Sequence, residues 1–125
     1  PTVPDSLDEY GLCEWHHITT LLEQMNLLSS ADKAALEIYC QTFSEWRKAV
    51  DMCNKYGAWT VYKDKDGHIL TRRNEFDRVR ERSSESLRRW LTEFGLTPSS
   101  RSRVEINKPE TGDELDRFFS GTFTN

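Results

Sequence analysis

No run in this chain approaches the roughly 18 consecutive apolar residues of a membrane span. No leader of charged, then apolar, then small residues opens it. These two absences predict a soluble intracellular protein. Cysteine is scarce too: Cys13, Cys40 and Cys53 are odd in number and far apart, so neither a disulfide framework nor the close pairs of a zinc site is present. Reduced thiols are the expectation. Hydrophobic residues make up 36% and charged residues 30%, a polar balance for a compact globule, and such chains often finish burying their apolar faces in an oligomer. The 125 residues allow one domain. The chain opens on Pro1 rather than Met, as expected where an upstream piece has been cut away or left out.

Catalytic signatures are also missing. No phosphate-cradling glycine loop, nucleophile elbow or pair of metal-binding histidines on one helical turn occurs. The carboxylates are spread over solvated faces, with no tuned acid and base pair. An enzyme is therefore the least supported class, and no cofactor or metal is expected. Cys13, His16 and His17 are the one cluster that suggests a metal. At 100° per residue Cys13 and His17 lie about 200° from Trp15, and His16 about 100°, on a largely outward face with no second ligand pair. His68 falls in a turn and is expected to be exposed.

The net charge of −4 argues against generic nucleic-acid binding, but the charge is unevenly placed. Residues 1–71 hold six bases and eleven acids, residues 72–103 nine and five, and residues 104–125 two and five; all nine bases of the middle block are Arg. Guanidinium forks bind phosphate or carboxylate bidentately. The block therefore suits an anionic partner, a subunit contact, or a solvated helix face with its own ion pairs.

The apolar periods predict three helices and a hairpin. Trp15, Ile18, Leu22 and Met25 recur at three and four residues, giving a helix over about 8–28 with Asp5, Ser6 or Asp8 as its cap. After "SSAD", where Ser29 and Asp32 make a box-like start, Leu36, Tyr39, Phe43, Trp46, Val50 and Cys53 keep a seven-residue repeat through a helix over about 30–56. So short a loop makes the two antiparallel. "AWTVYKDKDGHILTRR" places aromatic and β-branched residues on either side of Asp66 and Gly67, a β-hairpin over about 58–73. It is too small to stand alone and must pack on the helices or on a neighbouring subunit.

A third helix over about 75–94, with Asn74 as cap, gathers Phe76, Val79, Ser83, Leu87, Trp90, Leu91 and Phe94 on one stripe. Arg80 lands on that stripe too, snorkelling at its edge or paired across an interface. Arg78, Arg82 and Arg89 gather on the opposite side. Gly95 suits the left-handed position past a helix end, and Thr97 with Pro98 is a helix start. Residues 1–104 thus read as a mainly α core suited to oligomerisation and to an anionic contact, with Leu36, Tyr39, Phe43, Trp46, Val50 and Arg80 in its core or subunit interface. Residues 105–125 read as a tail whose Leu115, Phe118 and Phe119 suit docking on a partner.

The segments "LDEYGLCEW", "LLSSADKAALEIYC" and above all "FGLTPSSRSRV" resemble phage terminase small subunits of the compact family that ends its third helix in this signature. The similarity runs from about Leu7 to Val104, with a weaker echo in "DELDRFF". One departure is visible: the family often has Asn then Pro at the third helix start, whereas Glu75 follows Asn74 here. The resemblance implies a non-enzymatic packaging factor in the host cytoplasm that binds viral double-stranded DNA, forms a homo-oligomeric ring, and regulates the large ATPase and nuclease subunit. It further implies contact with an HNH endonuclease. Arg72, Arg73, Arg78, Arg82, Arg89, Arg101 and Arg103 are then the candidate phosphate contacts. Two other classes stay open at this point: a helix-turn-helix regulator using "SSAD" as its turn, and a structural adaptor whose arginines serve intersubunit ion pairs. Against the regulator, the helix after that turn carries Tyr39, Phe43 and Trp46 where a recognition helix needs exposed polar residues.

Overall fold

The computed structural model describes residues 2–100. Helix α1 spans Glu9–Gln24, α2 Lys33–Tyr56 and α3 Glu75–Glu93; strands β1 (Trp59–Lys63) and β2 (Ile69–Arg73) lie between α2 and α3. The protein is thus mainly helical with one small antiparallel hairpin, as the periods predict. Helix α2 packs against both other helices. Side-chain partners fix the directions: Tyr10 with Asp51 and Glu14 with Tyr39 make α1 antiparallel to α2, and Tyr39 with Phe94 and Tyr56 with Phe76 make α3 antiparallel as well.

The helix ends follow local chemistry. Of the three candidate caps for α1, Asp8 is the one used: its Oδ1 accepts from the Gly11 amide at 3.0 Å. Helix α1 stops four residues short of the expected end because Asn26 takes a left-handed φ of 61°. Its amide donates to the Glu23 carbonyl and that of Leu27 to the Leu22 carbonyl, a Schellman closure. Residues Leu28–Ser30 then form a single 3-10 turn, and Asp32 caps α2 by accepting from the Ala34 and Ala35 amides. Ser29 therefore belongs to the connector, and α2 starts at Lys33 rather than near residue 30.

The core gathers Trp15, Ile18, Leu22, Leu27, Leu36, Tyr39, Cys40, Leu87 and Phe94. The seven-residue stripe on α2 is only part of what that helix buries. Leu36 and Tyr39 are enclosed, while Phe43, Trp46, Val50 and Cys53 are half-buried. Cys40, Ser44 and Ala49 are buried off that stripe, because a helix with neighbours on two sides needs a wider buried arc than a two-helix seam. Gly11 permits the closest approach of α1 to α2: a Cβ there would sit 3.2 Å from the Cys40 carbonyl oxygen.

Asp8 ties the same pair of helices electrostatically. Its Oδ2 accepts from Ser44 Oγ at 2.6 Å and pairs with Lys48 Nζ at 2.5 Å. Lys48, then Ser44 and the Gly11 amide, hold its carboxyl well below the usual carboxylate range. The folded chain therefore holds this proton less tightly than the unfolded chain. Its contribution is complete above the ordinary carboxylate pKa near 4 and is lost as pH falls below it. Urea midpoints of the wild type and Asp8→Asn should accordingly differ most at pH 6, with the difference shrinking steadily as pH falls below about 4.

Candidate nucleic-acid interface

Strands β1 and β2 pair in the register Trp59 to Arg73 through Lys63 to Ile69. Gly67, at a φ of 83°, closes the expected turn; the Gly67 amide donates to the Asp64 carbonyl and the Asp64 amide to the His68 carbonyl. This is a three-residue loop with a left-handed glycine. Asp64 also accepts from the Asp66 and His68 amides, and its Oδ2 lies 3.1 Å from His68 Nδ1. Asp64, Asp66 and His68 are the one carboxylate and imidazole cluster among the described residues whose atoms converge as metal ligands would. The Asp64 oxygens already shape the turn.

Asn74 fixes the hairpin to α3. Its backbone amide donates to the Ala58 carbonyl at 2.8 Å and its Nδ2 to the Gly57 carbonyl at 2.9 Å, while its Oδ1 accepts from Thr60 Oγ1 at 3.3 Å. The residue occupies the expected cap position, but its side chain makes no capping bond to α3. It serves the base of the hairpin instead.

That clamp sets Arg73 beside the first turns of α3. Arg73 Nε donates to Asp77 Oδ2 at 2.6 Å, and its guanidinium also pairs with Glu81. Arg80 bonds the other Asp77 oxygen through Nε at 3.1 Å. Asp77 is only 6% exposed, and Arg73, then Arg80, hold its carboxyl below the usual range. Arg80 is thus exposed and paired within its own helix. The sequence reading missed Asp77. Its signal was there as arginines four residues before and three after, the spacing at which helical side chains meet.

The remaining arginines run along the exposed side of α3. Arg73, Arg78, Arg82 and Arg89, interleaved with Glu75, Glu81 and Glu85, line one shallow depression. Arg78 lies 3.8 Å from Glu75, Arg82 lies 3.5 Å from Glu45 on α2, and Arg88 pairs with Glu85. Arg72 on β2 and Arg89 are exposed with no acidic partner among the described residues. The row is therefore laced with carboxylates and carries only a small positive excess. Exposed pairs of this kind contribute about 0–1 kcal/mol each, so a phosphate can replace the carboxylates at little cost.

Past α3 the chain makes a defined corner. Gly95 has a φ of 80°, and the amides of Gly95 and Leu96 donate to the Thr92 and Leu91 carbonyls. Thr97 and Ser100 then cap each other: the Thr97 amide donates to Ser100 Oγ at 3.1 Å, and the Ser100 amide to Thr97 Oγ1 at 3.3 Å. Residues 98–100 are helical and Ser100 is buried. Arg101, Arg103, Leu115, Phe118 and Phe119 lie outside the described residues.

Cys13, His16 and His17 are exposed, and His17 Nδ1 lies 3.0 Å from Glu14 Oε1. No helix among the described residues is long and apolar enough to cross a membrane. A family model described as phage terminase, small subunit, matches residues 11–111, a span that takes in most of α1, the whole of α2 and α3, the hairpin and the corner. The chain belongs to the phage terminase small subunit family. No curated protein and no solved structure matches it. Membership places this terminase small subunit in phage DNA packaging, in a family whose members are generally non-catalytic components that work with the large subunit and viral DNA.

Proposed function

We propose that this terminase small subunit assembles as a homo-oligomeric ring in the host cytoplasm. The ring holds viral double-stranded DNA against the arginines of β2 and α3, and regulates the large ATPase and nuclease subunit through the tail bearing Leu115, Phe118 and Phe119. Arg101 and Arg103, which follow the corner in sequence, are further candidate phosphate contacts, and an HNH endonuclease is a further partner. The observation that carries the DNA contact is the exposed row on α3, with Arg72 and Arg89 free of acidic partners among the described residues. One such row is weak alone. Repeated around a ring, it gains by avidity.

The helix-turn-helix alternative is disfavoured by packing. Helix α2 lies against both α1 and α3, Tyr39 is enclosed in the core, and the exposed strip left to it, Ile38, Gln41, Glu45 and Lys48, has no net positive charge to bring to a groove. A structural adaptor would engage the large subunit yet show no DNA affinity at any salt concentration. Salt titration decides between adaptor and packaging factor. DNA affinity should fall linearly on logarithmic axes, with a slope of about 0.9 per phosphate contact. Arg89→Gln should lower that slope by about 0.9, and Arg72→Gln by a similar amount. Binding that persists unchanged across the titration would reject the role of the arginine row.

A further inference from the structure

Among the described residues, the hairpin that sequence alone requires to pack on something keeps its large apolar side chains exposed. Trp59 is 61% exposed, Val61 66% and Ile69 69%, with Tyr62 and Leu70 also open to solvent. The strands offer these side chains on both faces of a two-stranded sheet. Their combined surface is on the order of the few hundred Å² at which exposed apolar area marks an interaction site. An isolated hairpin of five-residue strands is itself marginal.

The backbone adds a second requirement. The Asn74 amide donates to the Ala58 carbonyl and the Asp64 amide to the His68 carbonyl, so those pairs are hydrogen-bonded. In an antiparallel ladder bonded and non-bonded pairs alternate. Thr60 and Tyr62 therefore direct their amides and carbonyls inward to Arg72 and Leu70. Trp59, Val61 and Lys63 on β1, and Ile69, Thr71 and Arg73 on β2, direct theirs outward. Both edges of the sheet are open templates for another strand.

We infer that these edges join copies of this chain: the β2 edge of one protomer pairs antiparallel with the β1 edge of the next. The inference rests on the homo-oligomer proposed above and names its contact surface. A second copy fits better than another occupant for three reasons. Each copy brings one edge of each kind, so head-to-tail pairing consumes both and can close on itself. In the unsheared register Lys63 meets Ile69, Val61 meets Thr71, and Trp59 meets Arg73 of the neighbour, with no like charges opposed. A polyanion would leave the five apolar side chains uncovered.

The test uses proline at outward-facing amides, where it leaves the hairpin's own bonds intact. Val61→Pro and Thr71→Pro should each raise the concentration at which the oligomer dissociates by about tenfold to a hundredfold. Sedimentation reads this, with helical circular dichroism unchanged. Hydrogen exchange on the wild-type protein supplies the second readout: the Val61 and Thr71 amides should be protected in the oligomer and lose protection on dilution. If a variant loses its fold, the exchange result decides. An oligomeric wild type whose edge amides exchange freely, or whose proline variants fold and assemble normally, overturns the inference and leaves the ring proposal standing. A monomeric wild type rejects both. Protection of these amides only when DNA is added assigns the hairpin to nucleic acid and overturns it as well.

Discussion

Trp15→Ala should lower the unfolding free energy by about 4 kcal/mol, enough to unfold much of the population of an ordinary small domain near physiological temperature. Trp15 is 2% exposed, and Ile18, Leu22, Leu36 and Tyr39 belong to the same enclosed cluster. Truncation there removes the largest side chain of the core and leaves a cavity that helices tied by the Asp8 and Gly11 contacts are poorly placed to close. Trp59→Ala is the control, since Trp59 lies on the open hairpin: it should change protomer stability by no more than about 0.5 kcal/mol. Both are read from urea denaturation of the dissociated protomer, at a protein concentration below that of assembly, because assembly adds to apparent stability. Equal losses for the two variants would mean that the hairpin belongs to the protomer's core.

Tyr39→Phe should cost about 2 kcal/mol although it deletes one oxygen. Tyr39 Oη donates to Glu14 Oε2 at 2.5 Å, and Glu14 is itself buried, with His17 Nδ1 at its other oxygen. Burial, and then the bond to Glu14, push the phenol above its ordinary pKa, so the hydroxyl remains a donor throughout the working range. Phenylalanine keeps the edge contact with Phe94, whose ring centroid lies 5.6 Å away, and leaves a buried carboxyl group short of its donor. In a Glu14→Met background the same change should cost less than about 0.5 kcal/mol, because no buried acceptor is then left unmet. A cost that stays the same in both backgrounds would place the effect in ring packing.

Residue periodicity carries much of the fold to the reader of the sequence. Trp15, Ile18 and Leu22 on α1, and Ser83, Leu87 and Phe94 on α3, are buried where their spacing puts them. The Asp66 and Gly67 turn and the Gly95 stop are legible for the same reason: a left-handed residue or a tight loop is set by its immediate neighbours. Asn26 was less legible. Asparagine ends helices in the left-handed position less often than glycine, and the apolar period runs on through Leu27 and Leu28.

Ion pairing was the least legible feature. Arg73, Arg78 and Arg82 look available in a list of basic residues. Each carboxylate within their reach is set by helix rotation and by which helix lies alongside, as Glu45 on α2 is for Arg82.

Sequence by itself determined three helices, the start of the third at Asn74 and its stop at Gly95, a hairpin and an arginine-rich third helix, because each depends on residues within a few positions of one another. Tertiary structure alone decided that Glu45 on α2 lies alongside Arg82, that Glu14 meets Tyr39 in the core, and that the apolar hairpin stays uncovered among the described residues. Those outcomes depend on distances between segments far apart in the chain, which local propensity does not encode and only packing fixes.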